Sequence, residues 1–114
     1  MHPSHVEKSD PTNCSLLNEG VVFKISSNQR YTFDAEAVGG LQQLCELKQI
    51  KYKKFVNHSD VVGGGTLGPI ISSWLPMKTI DLGVPLLAMH SARELMGTQD
   101  FIELHKLMCA FFDV

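Results

Sequence analysis

The hydrophobic pattern begins at Gly20, which opens Val21-Val22-Phe23-Lys24-Ile25, a β-branched and aromatic run of strand length. Ser26-Ser27-Asn28 is a turn signal, and Thr32 or Asp34 can cap the helix expected next. In that helix Ala35, Val38, Leu41, Leu44, Cys45 and Leu47 recur at three and four residues, so one face turns to a core. Gly39 and Gly40 inside it cost about 1 kcal/mol each against Ala, and suggest close packing there or local weakness. Tyr52-Lys53-Lys54-Phe55-Val56 reads as a second strand, and Asn57 to Gly65 as a loop. Thr66-Leu67-Gly68-Pro69 is a helix entry, because a first turn tolerates the missing N–H of Pro; Ile70 to Leu75 continue the helix until Pro76. Lys78 to Leu82 reads as a third strand, broken by Gly83-Val84-Pro85, and Leu86 to Met89 as a short apolar stretch. Ser91-Ala92-Arg93-Glu94 has the S-x-x-E form of a capping box and predicts a last helix from there. Its buried side is Leu95, Phe101, Ile102, Leu104, Met108, Phe111 and Phe112.

Strand and helix therefore alternate three times. That order predicts an α/β layer, with strands largely parallel, joined by right-handed crossovers and flanked by helices. Residues 1–19 are polar, contain Pro3 and Pro11 and show neither period, so they read as an extended or looped segment ahead of an α/β core over 20–114.

Composition narrows the function. Ten Lys and Arg against twelve Asp and Glu leave a net charge of −2, which argues against a nucleic-acid partner. With 44% hydrophobic and 19% charged residues, usage is that of a globular chain. No apolar stretch approaches the roughly 20 residues of a membrane-spanning helix, and Met1 to Lys8 lacks the apolar run of a signal peptide. The expectation is a cytoplasmic chain with no membrane partner. Cys14, Cys45 and Cys109 are odd in number and lack metal-type spacing, which suits a reducing compartment, with Cys45 and Cys109 as small core residues.

Three stretches could carry chemistry. Gly63-Gly64-Gly65-Thr66-Leu67-Gly68 fits G-x-G-x-x-G between a strand and a helix, the outline of a nucleotide-binding module. Against this, the preceding strand is Lys-rich, and Asp81 lies closer than the about 20 residues expected of a ribose-binding acid. Pro69 also replaces the Lys of a Walker A loop. A flexible turn is a second reading. In a third, bare backbone and the free N–H groups of a helix start, with the Thr66 hydroxyl, form a platform for peptide or acyl chemistry. His90, after an apolar stretch, is placed as a metal ligand or an acid–base group, or simply bonds nearby backbone. One His cannot hold catalytic zinc, which usually takes three protein ligands, and no HExxH is present. Lys24 is the only charge in its apolar strand and faces either solvent or a binding cleft; Lys51, Lys53 and Lys54 read as a solvated face. His2, His5, Asp10 and Cys14 read as a polar tail.

Several blocks together resemble the C-terminal part of the M18 metalloaminopeptidases, which include the aspartyl aminopeptidases. They are Gly63 to Ile70, Thr79-Ile80-Asp81-Leu82-Gly83-Val84-Pro85 and Met89-His90-Ser91-Ala92-Arg93-Glu94. His2-Pro3, Glu7 to Asn13 and Asn28-Gln29-Arg30-Tyr31 add to them in the same order along nearly the whole chain. The resemblance implies an α/β enzyme with two zinc ions that releases N-terminal, often acidic, residues from peptides and assembles as a homo-oligomer. It implies His90 as a zinc ligand, Lys24 as the residue that meets an acidic substrate side chain, and Gly64, Gly65 and Thr66 as the pocket loop. Ser91 and Glu94 are then the helix cap that supports His90. Val62, Gly65 and Ser4 depart from the family's usual Pro, Ser or Thr, and Asn. The other zinc ligands, the general-base Glu and a dimerisation domain are expected upstream, outside these residues. Two outcomes follow: a segment of a true aminopeptidase, inactive alone, or a non-catalytic fragment that only self-associates.

Overall fold

A computed structural model describes residues 12–25, 34–56 and 64–114. The elements are β1 (Val21–Ile25), α1 (Ala35–Leu47), β2 (Tyr52–Val56), α2 (Gly68–Trp74), β3 (Leu82–Gly83), β4 (Leu86–Leu87), β5 (Leu95–Met96) and α3 (Thr98–Phe112). The fold is mixed α/β, as expected. β1 and β2 pair in parallel, Val21 opposite Tyr52 through Ile25 opposite Val56, with α1 between them in the chain. The sheet order is β2-β1-β3, and β3 runs antiparallel to β1, so the sheet is mixed where largely parallel strands were expected. β4 and β5 form a separate antiparallel hairpin. The third strand also proves shorter than its sequence suggested. Residues 78–81 remain outside the ladder, although Asp81 C=O still accepts from Lys24 N–H at 2.9 Å, and Gly83 lies in the strand instead of breaking it.

Alternation along β1 divides the molecule. Val21 and Phe23 face a core completed by Val38, Leu41 and Cys45 of α1, Ile50, and Leu107 of α3. Phe23 stacks on Tyr52, ring centroids 5.2 Å apart. Val22 and Lys24 point the other way, into a cleft. α1 begins as its pattern predicts: Asp34 is the N-cap, and its Oδ1 accepts from Ala37 N–H at 2.9 Å. A Cβ on Gly39 or Gly40 would meet no atom within 4 Å, so close packing is not the reason for that pair.

α3 starts at Thr98, seven residues after the capping-box serine that was expected to open it. Its N-cap, Gly97, has no side chain, and a distant residue serves instead: Asn18 Oδ1 accepts from Gln99 N–H at 3.1 Å. Two buried carboxylates in the first turns of α3 then hold the N-terminal ends of both long strands. Asp100 accepts from Asn18 N–H at 2.7 Å and Gly20 N–H at 2.8 Å. Glu103 accepts from Lys51 N–H at 3.0 Å, and from Gln99 and Lys106 side chains. Burial pushes the Glu103 carboxyl up, but these donors outweigh it and hold it below the ordinary carboxylate range. Its contribution to stability is therefore present above the unfolded-state pKa and is lost as pH falls through the folded one.

Cys45 is fully buried, whereas Cys109 is only half-buried, against the core position expected for both. Burial, then the charges of Glu103 and Glu46, push the Cys45 thiol up to about 11. Iodoacetamide should modify Cys14 and Cys109 promptly in native buffer, and Cys45 only at the rate of unfolding. Peptide mass mapping would show this; prompt alkylation of Cys45 would contradict it.

Candidate functional site

The cleft on the Lys24 side of β1 is walled mainly by apolar groups, among them Val22, Phe55, Val84 and Leu86, with a volume of about 110 Å³. Three elements build it. β1 contributes Lys24, half-buried among these groups. The 82–86 segment lines the cleft beside the lysine, and an added Cβ at Gly83 would lie 3.9 Å from Lys24 Cε, an ordinary contact, so Gly83 stands next to the lysine stem. The aperiodic stretch before β1 contributes Asn13 and Ser15. Lys24 thus borders a cleft instead of facing open solvent.

The glycine loop reaches this region through Asp81. Thr66 Oγ donates to Asp81 Oδ2 at 2.6 Å, and the Asp81 carbonyl takes the Lys24 N–H. Loop and lysine are therefore linked through one residue. The Thr66 hydroxyl, expected as a donor to a ligand, is used inside the protein. Gly64 and Gly65 are exposed just before α2; Gly63, Val62 and His58 lie outside the described residues. α2 has Pro69 in its first turn, as predicted, and an N-cap, Leu67, without a side-chain hydrogen bond.

His90 lies in the turn joining β4 to β5. Met89 beside it lines the Lys24 cleft, and the His90 side chain is on the surface. Ser91 and Glu94 are not a helix cap. The chain folds back as a hairpin here because Leu86 and Leu87 pair with Met96 and Leu95, a contact that the local S-x-x-E signal cannot register. Inside the turn His90 adopts φ 66°, a left-handed conformation uncommon for a side-chain-bearing residue. Its N–H donates to Glu94 Oε1 at 2.5 Å, Ser91 N–H donates to Ala88 C=O, and Arg93 N–H donates to Ser91 Oγ. Glu94 thus supports His90 through the turn's own backbone.

Among the described residues, no three His, Cys, Asp or Glu side chains gather as a metal site. One surface imidazole does not meet the three-ligand requirement of catalytic zinc. His2 and His5 lie outside the described residues. Among the described residues, too, no helix is long and apolar enough to cross a membrane. What sequence reading missed is Asn13 and Ser15, which carry no periodic signal, and the buried carboxylates of α3.

Comparison with known proteins bears on all of this. The family model described as Aminopeptidase I zinc metalloprotease (M18) matches residues 1–112. A curated relative named probable M18 family aminopeptidase 2, from Clostridium acetobutylicum, is 44% identical over all of this chain and 26% of its own length. The chain thus spans about a quarter of that relative. The solved Ape4 and Nbr1 complex contains a chain 37% identical, with TM-score 0.93, over 98% of this chain and 21% of that one. Aminopeptidase I from Clostridium acetobutylicum is 25% identical, with TM-score 0.81, over 96% and 25%.

Proposed function

The chain belongs to the aminopeptidase I (M18) family of zinc metalloproteases, and on that premise we propose that it forms the C-terminal part of a catalytic domain that removes acidic N-terminal residues from peptides. One observation carries this reading: a cationic side chain, Lys24, enters an otherwise largely apolar cleft whose wall runs directly into the His90 turn. An ammonium in such walls favours a carboxylate side chain. His90 supplies one zinc ligand, and the remaining donors and the general base come from outside this chain. Gly64 and Gly65 are exposed ahead of α2 and outside the lining of this cleft, and their loop is tied to the lysine strand through Thr66 and Asp81; in the complete enzyme this loop supplies open backbone to the substrate. The complete enzyme works in the cytoplasm as a homo-oligomer.

Alone, the described residues supply one candidate ligand, His90, and no three-ligand cluster. The isolated chain, incubated with zinc or cobalt and an aspartyl or glutamyl arylamide, should give no turnover. Sustained turnover abolished by His90→Ala would overturn that division of labour.

The reading as a self-associating fragment rests on a separate observation. α2 buries none of its residues, and Leu67 and Trp74 are 72% and 80% exposed, with Ile70 and Ile71 also open. β2 is an edge strand of its sheet. Uncovered apolar helix faces and open edges drive association. Size-exclusion chromatography with light scattering should show species larger than 12.7 kDa that grow with concentration. A monomer at every concentration would refute it.

A further inference from the structure

We propose that Met89 sets the length of the side chain that the Lys24 cleft accepts. The inference rests on the reading of that cleft as the pocket for a substrate's N-terminal side chain, and adds to it the residue that limits its size. Of the described residues lining the cleft, Met89 alone is exposed, at 54%; the others, Val22 and Phe55 among them, are buried or half-buried. A residue that lines a cleft and also stands open to solvent lies at its rim.

The turn between β4 and β5 holds it there. Ala88 and His90, on either side of Met89, have φ 53° and 66°, a left-handed backbone uncommon for residues that bear side chains. Ser91 N–H donates to Ala88 C=O at 3.0 Å and closes the turn around Met89. Backbone of this kind persists where the surroundings over-determine it, and such residues cluster at ligand clamps and active sites. Here the turn places the rim residue next to His90 in the chain, so a side chain that enters from the His90 side passes Met89 before it reaches Lys24. The volume of about 110 Å³ is well below the roughly 300–1,000 Å³ of a drug-sized site, and suits one short side chain. Val22 and Pro85 are buried, so those walls cannot yield without disturbing packed structure. The rim can: an unbranched, flexible methionine fills an irregular gap, and trimming it to Cβ frees that space without opening the core.

The test is a ¹⁵N NMR titration of the 114-residue chain with L-aspartate, L-glutamate and L-2-aminoadipate, a ladder in which each acid is one methylene longer than the last. All three should shift the amides of Lys24, Val84 and Met89, the longest acid binding most weakly. Met89→Ala should raise the affinity for L-2-aminoadipate relative to L-aspartate about tenfold, a usual value for one methylene in an apolar pocket, and Met89→Phe should lower it. Met89→Leu conserves volume and should leave the ladder as it is. The thermal midpoint should hold in Met89→Ala, because the side chain is exposed; a merely structural role would lower it and move all three affinities together. A ladder unchanged in both Met89→Ala and Met89→Phe, with binding of all three acids lost in Lys24→Met, would overturn the methionine proposal and leave the lysine reading standing. A wild-type chain that binds none of the acids, or binds them equally well after Lys24→Met, would overturn both.

Discussion

Replacing Asp100 with Ala should destabilise the chain by about 2–5 kcal/mol. The carboxylate is fully buried and accepts from two backbone N–H groups, those of Asn18 and Gly20. Deleting it leaves both donors without a partner, and each such group costs about 1–3 kcal/mol. Whole domains are stable by only roughly 5–15 kcal/mol, so the variant should lose a large part of the total. The surroundings show how closely this contact is built. A Cβ on Gly97 would stand 2.6 Å from Asp100 Oδ2 and 2.2 Å from Asn18 Oδ1. Gly20 has φ 106°, and a Cβ there would lie 2.1 Å from Lys51 C=O. Asp100→Asn is the informative control. Its amide keeps one acceptor and turns a donor toward a donor, so it should recover less than half of the loss. Urea denaturation followed by circular dichroism would measure both; a shift below about 0.5 kcal/mol for Ala would rule out the staple.

This staple also explains which parts of the fold could be read from the chain. α1 could be: its apolar spacing, its Asp34 cap and its buried Val38, Leu41 and Cys45 are all local facts, and they agree. α3 was legible as a helix, but neither its start nor its buried face was: Leu95, Phe101, Ile102, Met108, Phe111 and Phe112, expected inside, are exposed, and Asp100, Glu103 and Leu107 are buried instead. Ser91 and Glu94 have the spacing of a cap, and only the pairing of Leu86 and Leu87 with Met96 and Leu95 turns that stretch into a hairpin. The true cap, Asn18, is 81 residues from the N–H it serves, and no local pattern reports a contact of that length. Asp100 and Glu103 resemble ordinary surface acids of an amphipathic helix, because a sequence shows their charge and not their partners. The antiparallel β3 was hidden for a similar reason: two residues carry no alternation. In the candidate site, Lys24 stood out as a lone charge in an apolar strand and His90 through its family block. Ser15 and Asn13 sit in a stretch without period, and only the fold brings them beside Lys24.

The role of His90 can be tested only where the missing donors are supplied. Grafting these 114 residues onto the Clostridium acetobutylicum relative, in place of the quarter they match, provides that setting. The chimera should hydrolyse aspartyl and glutamyl arylamides, and His90→Ala should reduce kcat/KM by on the order of 10²–10⁴-fold, the range expected when several kcal/mol of metal assistance are removed. Zinc content by mass spectrometry should fall with it, which separates a lost ligand from a lost substrate contact. Glu94 offers the finer test, because its carboxylate holds the His90 N–H in a turn where φ is 66°. Glu94→Ala should cost about 10–100-fold, the usual effect of removing a group that orients a metal ligand. Glu94→Gln keeps an acceptor oxygen at the same reach and should restore most of the activity. A helix-capping role predicts something different: both variants would lower helix content and thermal stability, and the zinc content would stay unchanged. An active chimera indifferent to His90→Ala in both rate and zinc content would remove this imidazole from the metal centre.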